Sequence, residues 1–293
     1  MRTLFFIGAA LIAAAAANAS VAPDPNAAIT DPPRDAAFPA RLQQLLIPSR
    51  GVGMNALLFV ASGSGPHPTV ILMHGLPGNE RNLDLAQAIR RAGWDVLTFT
   101  YRGAWGSPGD FSISNAMSDT AAALEFARSR DGQKYGIDPR HIVLAGHSMG
   151  GATAMMTAAS ATGLDGLILI DPWNIAAGNS KNAKTREQLA KGMDDFGNSL
   201  HGATPESVAE EAVNKRSQWD LVAAAHRLHG VPVLMLTALH GIGDRDRPVT
   251  DAMKSGGNGV TAIEMDTDHS FSDHRIALSE AVVDWLRRLP HAR

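Results

Sequence analysis

The chain has 293 residues, 45% of them hydrophobic, with a formal net charge of -3 and no cysteine. This length and composition suit one large α/β core, and the weak negative charge suggests no attraction to phosphate backbones or anionic membranes. Disulfides and a lipid-modified N-terminal cysteine are excluded too, so an exported form has to be stable through its core alone.

Met1-Arg2-Thr3 precedes an apolar run from Leu4 to Ala17, and Ala17-Asn18-Ala19 is a small-x-small site before Ser20. Charge, length and ending read as a secretory signal peptide over 1–19, which puts the mature protein in a periplasm or the medium, with no membrane partner after cleavage. The apolar run is short for a membrane span. Residues 20–40 are rich in Pro, Ala and Asp and lack periodicity, so a disordered linker is expected before a folded domain over 41–293.

The segments 42–48 and 54–61 read as two strands of an antiparallel hairpin. Thr69–Gly75 is short and fully apolar, the pattern of a strand buried on both faces of a parallel sheet. A helix over 81–92 ends at Gly93, and a strand over 94–100 follows. The spacing then predicts a helix over 116–128, a strand over 141–146, a small-residue helix over 149–161, and strands over 166–171, 231–237 and 260–265. A closing helix over 273–289 is expected to turn Ile276, Val283 and Leu286 inward. Alternating strands and helices mean a mostly parallel sheet with helices on both faces. The segment 172–230 interrupts two strands that should be neighbours. Its helical stretches, 185–193 and 205–213, make it a small helical cap over the strand ends rather than a bare loop.

Ligands of such sheets sit beyond the carboxyl ends of the strands. Gly146-His147-Ser148-Met149-Gly150-Gly151 falls there, between a strand and a helix. A tight strand-to-helix turn exposes a serine hydroxyl but crowds its neighbours, which glycines relieve, so Ser148 is the candidate nucleophile. The Met149 N–H at the helix start is one candidate oxyanion donor, and the Leu76 N–H in His74-Gly75-Leu76-Pro77-Gly78 is the other, with His74 holding that loop. His269, after the last strand, is the candidate base, with His274 as the alternative. Asp244 is the first choice for the carboxylate that orients the base, followed by Asp246 and Asp171. His226 and His229 are better read as a solvated helix face than as metal ligands, and no phosphate-binding glycine loop is present, so no cofactor or metal is expected. Trp173, Met193, Phe196 and Trp219 of the cap either line an acyl pocket or pack the cap onto the core.

The order Ser148, Asp244, His269 and the motifs HGLPG, YRGAWGSPG, GHSMGG, GDRDRP and TDHSF resemble an α/β-hydrolase over nearly all of 41–289. Within that superfamily the chain is similar to the dienelactone-hydrolase and prolyl-oligopeptidase-like branch, with serine in place of the dienelactone hydrolases' cysteine. The Asp244 to Pro248 spacing is what the branch implies for the acid. The resemblance implies a carboxylesterase-like serine hydrolase working through an acyl-enzyme, on a small-molecule ester or a short peptide. Two other readings stay open. One is a small serine peptidase of prolyl-oligopeptidase type, with Asp194, Asp195, Glu210 and Glu211 holding the peptide amine. The other is a catalytically silent binding module on the same fold.

Overall fold

The computed structural model describes residues 26–177, 183–193, 196–242 and 246–289. The expected signal peptide lies outside the described residues. Of the expected linker, residues 26–40 carry little regular structure but are not loose. Ala27 is buried against Ala88, Ala92 and Val283, and Arg91 donates to the carbonyls of Ala27 and Ala28.

β1 (Arg41–Ser49) and β2 (Val52–Val60) pair antiparallel through Ser49 and Val52. Only Arg50 and Gly51 lie between them, both at positive φ, the two-residue turn whose twist matches a hairpin. β3 (His67–Met73), α1 (Leu83–Arg91) and β4 (Asp95–Phe99) follow, then α2 (Ile113–Arg128) and the short α3 (Arg130–Lys134). β5 (Ile137–His147) runs into α4 (Met149–Ala158), and β6 (Gly166–Ile170) ends one residue before Asp171. The cap holds α5 (Ala183–Lys191), α6 (Pro205–Lys215) and α7 (Leu221–Ala225). β7 (Val233–His240), α8 (Arg247–Ser255), β8 (Val260–Asp268) and α9 (Arg275–Arg287) complete the order. The sheet runs β1-β2-β4-β3-β5-β6-β7-β8, parallel from β4 onward. β6 and β7 are therefore neighbours despite the cap between them in sequence.

The central strands alternate between two cores, as period-2 geometry requires. Ile71, Leu144, Leu169 and Met235 face one, with α2 and α4, whereas Val70, Val143, Ile168 and Leu234 face the other, with α1 and α9. On α9 the inward face is carried by Leu278, Val282, Val283, Trp285 and Leu286. Ile276, expected inward, is exposed in the first turn, outside the stripe that meets the sheet. α8 was not anticipated. It explains the proline spacing after Asp244, because Pro248 sits in its first turn, where a missing N–H costs nothing.

The cap is tied to the segment after β4. Ala104 bridges to Leu200, Trp105 N–H donates to the Ser199 carbonyl at 2.8 Å, and His201 N–H donates to Gly103 at 2.6 Å. Phe111 N comes so close to Gly103 that a Cβ there would lie 2.2 Å from it. Arg102 anchors the segment from below through the buried Asp119 at 2.6 Å. Trp173, Phe196 and Trp219 are buried in the sheet's larger core and Met193 packs on it, so these residues fasten the cap to the sheet.

Candidate active site

Ser148 occupies the turn between β5 and α4 with φ 56° and ψ -120°. A non-glycine residue in that region costs of order 1–3 kcal/mol and persists only where its surroundings fix it. Main-chain bonds on both sides do so: Ser148 N–H donates to the Ile170 carbonyl at 3.0 Å, and Trp173 N–H to the Ser148 carbonyl at 2.9 Å. The flanking glycines are required by contact. A Cβ on Gly146 would lie 2.1 Å from the Gly150 carbonyl oxygen, and one on Gly150 would lie 2.4 Å from that of Met73.

The loop after β3 lies directly against the serine. A Cβ on Gly75 would lie 2.9 Å from Ser148 Cβ, so Leu76 follows a residue in near contact with it. His74 fastens this loop. Its Nδ1 donates to the Gly75 carbonyl at 2.7 Å, and its own carbonyl accepts from the Tyr101 hydroxyl at 3.1 Å. On the other flank, Met149 N–H opens α4, in the first turn where helix N–H groups lack intrahelical acceptors. A Gly75→Ala variant should keep its fold and lose about 10²-fold in kcat/KM, because the added methyl displaces the serine or the loop. Circular dichroism and ester turnover on the same preparation check this.

His269 follows β8 directly. Its Nδ1 meets Asp171 Oδ2 at 2.5 Å, which leaves Nε2 as the nitrogen free for proton transfer. Asp171 is fully buried at φ 41°, immediately after β6. It also accepts from Ala238 N–H at 3.2 Å and Ile242 N–H at 3.0 Å, so it accepts at every contact and donates at none. The turn after β7 wraps so closely that a Cβ on Gly241 would lie 2.2 Å from Asp171 Oδ2. The carboxylate on His269 is thus Asp171, the last of the three candidates. Asp244, the first choice, lies outside the described residues. Asp246 is buried at the start of α8. Asp171 is held for its contact with His269 from β6, with backbone donors supplied by β7 and the turn after it. His274 caps α9 and pairs with Asp273 at 2.9 Å, away from this constellation.

One contributor was not read from the sequence. His147 Nε2–H donates to the His269 carbonyl at 2.8 Å, with the two rings 4.6 Å apart. Its neighbour Ser148 is thereby linked to the turn that carries His269. Position 147 lies inside the serine motif, which was the available signal, but nothing local to it named its partner 122 residues away.

Burial pushes the imidazole pKa of His147 down to about 4, with His269 adding to the effect, and burial does the same for His74. Both rings are neutral when folded and titrate near 6.5 when unfolded. Between pH 6.5 and 4 the unfolded chain therefore binds more protons, and stability falls as pH falls through that window. Each ring contributes roughly 3 kcal/mol to that loss. Urea midpoints should drop steeply from pH 7 to pH 4.5, and the drop should shrink in His147→Asn.

For the peptide-amine reading, Glu211 is already engaged. It accepts from Ile113 N–H and the Ser114 hydroxyl at the start of α2, and pairs with Lys215. Asp194 and Asp195 lie outside the described residues, and Glu210 is exposed on α6.

The comparisons with known proteins agree with this architecture. The family model for the alpha/beta hydrolase family matches residues 70–284. The quorum-quenching protein AidA of Acinetobacter baumannii is 30% identical over 166 residues, 54% of this chain and 53% of that protein. An uncharacterized protein of Mycobacterium tuberculosis is 29% identical over 125 residues, 42% of this chain and 43% of that protein. The chain thus spans about half the length of these curated relatives. Among solved structures, the thermostable carboxylesterase EstE1 from a metagenomic library superposes with a TM-score of 0.65 at 20% identity, covering 90% of this chain and 92% of that one. Est1E from Butyrivibrio proteoclasticus gives 0.60 at 19% identity, covering 83% and 97%. With a matching model over most of its length and the same sheet, the chain belongs to the alpha/beta hydrolase family.

Proposed function

We propose that the protein is a serine hydrolase acting on carboxylic esters through an acyl-enzyme. The observation that carries this reading is the Ser148 turn, strained and pinned to β6, with Asp171 at the end of β6 bonded to His269 after β8. His269 Nε2 takes the proton from Ser148 Oγ as the oxygen attacks the ester carbonyl. The N–H groups of Leu76 and Met149 hold the developing oxyanion, on opposite flanks of the serine. Asp171 fixes the Nδ1–H tautomer and stabilises the imidazolium. His269 then protonates the departing alkoxide, and a water activated the same way releases the acid. No step calls for a metal or cofactor. The run Met1–Ala19 supports export, which would put this chemistry in a periplasm or the medium.

Ester rather than amide substrates fit the engaged Glu211, since no acid of α6 is both buried and free to hold a peptide amine. The test is labelling with a fluorophosphonate, followed by peptide mapping, beside turnover of p-nitrophenyl butyrate and an aminoacyl anilide. A single adduct on Ser148 with ester turnover well above anilide turnover is expected. An unlabelled, inactive protein would point to the silent binding module, and faster anilide turnover to the peptidase.

A further inference from the structure

A cleft of about 590 Å³ opens on the sheet face at the β1-β2-β4 end, beside the start of α1. Leu46, Leu57, Leu83 and Phe99 give it apolar walls, while Asn55 and Thr98 give it uncharged polar points. Its volume is in the range of small-molecule sites. None of Ser148, Asp171 and His269 lines it.

Its only lining residue with a permanent charge is Arg81, and none of its lining residues is acidic. Among the described residues Arg81 has no ion pair, and the reason lies close by. Arg275 takes up Asp84 through two bonds, at 2.6 and 2.8 Å, and lies 3.9 Å from Glu80, whose carboxylate also accepts from Asn82 N–H. Both acids near Arg81 in sequence are therefore turned to another cation. The Arg81 guanidinium is held 5.0 Å over the Trp105 ring, a contact that orients it without neutralising it. Trp105 is a fixed wall. It sits at φ 49°, its main chain is bonded to Ser199 of the cap, and its Nε1–H donates to the Pro77 carbonyl at 2.8 Å. A strained aromatic residue held from two sides is a feature to expect at a ligand site.

We propose that this cleft is a second ligand site, which takes an amphipathic monocarboxylate with its carboxylate on Arg81 and its alkyl chain along Leu46, Leu57 and Leu83. A planar guanidinium matches a carboxylate through two parallel bonds. One cation with apolar walls suits a single negative charge, whereas a phosphate dianion would call for more donors than the lining provides.

The probe is sodium decanoate below its micelle concentration, titrated into the full-length protein by calorimetry, with decanol as the uncharged counterpart. Saturable one-to-one binding is expected for decanoate, with decanol at least about tenfold weaker. Arg81→Gln should weaken decanoate at least about tenfold, and Asn55→Asp, an exposed strand position lining the same cleft, by about fivefold through like charge. Circular dichroism establishes that both variants are folded. If decanoate gives no saturable heat, the site does not exist. If it binds Arg81→Gln and Asn55→Asp as well as the unaltered protein, it sits elsewhere, the surroundings of Ser148 included. Decanol binding as tightly as decanoate would overturn the carboxylate assignment.

Discussion

A Ser148→Ala protein should lose about 10⁶-fold in kcat for p-nitrophenyl butyrate and keep its fold. The nucleophile is the one group whose removal leaves the imidazole and the oxyanion donors nothing to act through. The residual rate should stay above that in water by about 10³-fold, because the N–H groups of Leu76 and Met149 still face a bound carbonyl. Stability should change little or rise. Alanine keeps the same backbone requirement, and the main-chain bonds from Ile170 and Trp173 do not involve the hydroxyl. Undiminished turnover in Ser148→Ala would falsify the acyl-enzyme reading. Stopped-flow and steady-state ester assays beside thermal melts decide the matter.

The second large effect separates two carboxylates. Asp171→Asn should lower kcat by about 10⁴-fold, while Asp244→Asn should stay within about twofold of the unaltered enzyme. The asparagine amide turns an acceptor into a donor toward His269 Nδ1, which favours the tautomer with its proton on Nε2, the nitrogen that has to receive one. The same change faces the Ala238 and Ile242 N–H groups with a group of mixed character, so a modest loss of stability should accompany it. The loss belongs in kcat, with KM little altered, because Asp171 is buried behind the histidine and out of reach of substrate. Near-native turnover in Asp171→Asn, together with a large loss in Asp244→Asn, would return the acid to the turn after β7.

The contrast between these two aspartates shows what a linear reading reaches. Ser148 was legible because its requirement is local: strand, tight turn, glycines and helix all lie within a few residues. His269 was legible because it follows the last strand of an alternating pattern, where the sheet has to present it. The parallel order and the cap followed from the same periodicity. The acid was not legible because its two possible carriers, the ends of β6 and β7, are adjacent strands at the same sheet edge. Asp171-Pro172 reads locally as a turn, and Asp244 to Pro248 reads as a marked loop. Among the described residues it is the contact of Asp171 with His269 Nδ1, made by the fold, that singles out Asp171. His147 is a similar case, since its hydrogen bond to the turn at 269 comes from the fold and not from its neighbours.

Asp171 sits at the end of β6, beside the strand that leads into Ser148. Ser148 and Asp171 follow paired strands, and Ser148 N–H is bonded to the Ile170 carbonyl, so the sheet's own spacing holds the two side chains in register.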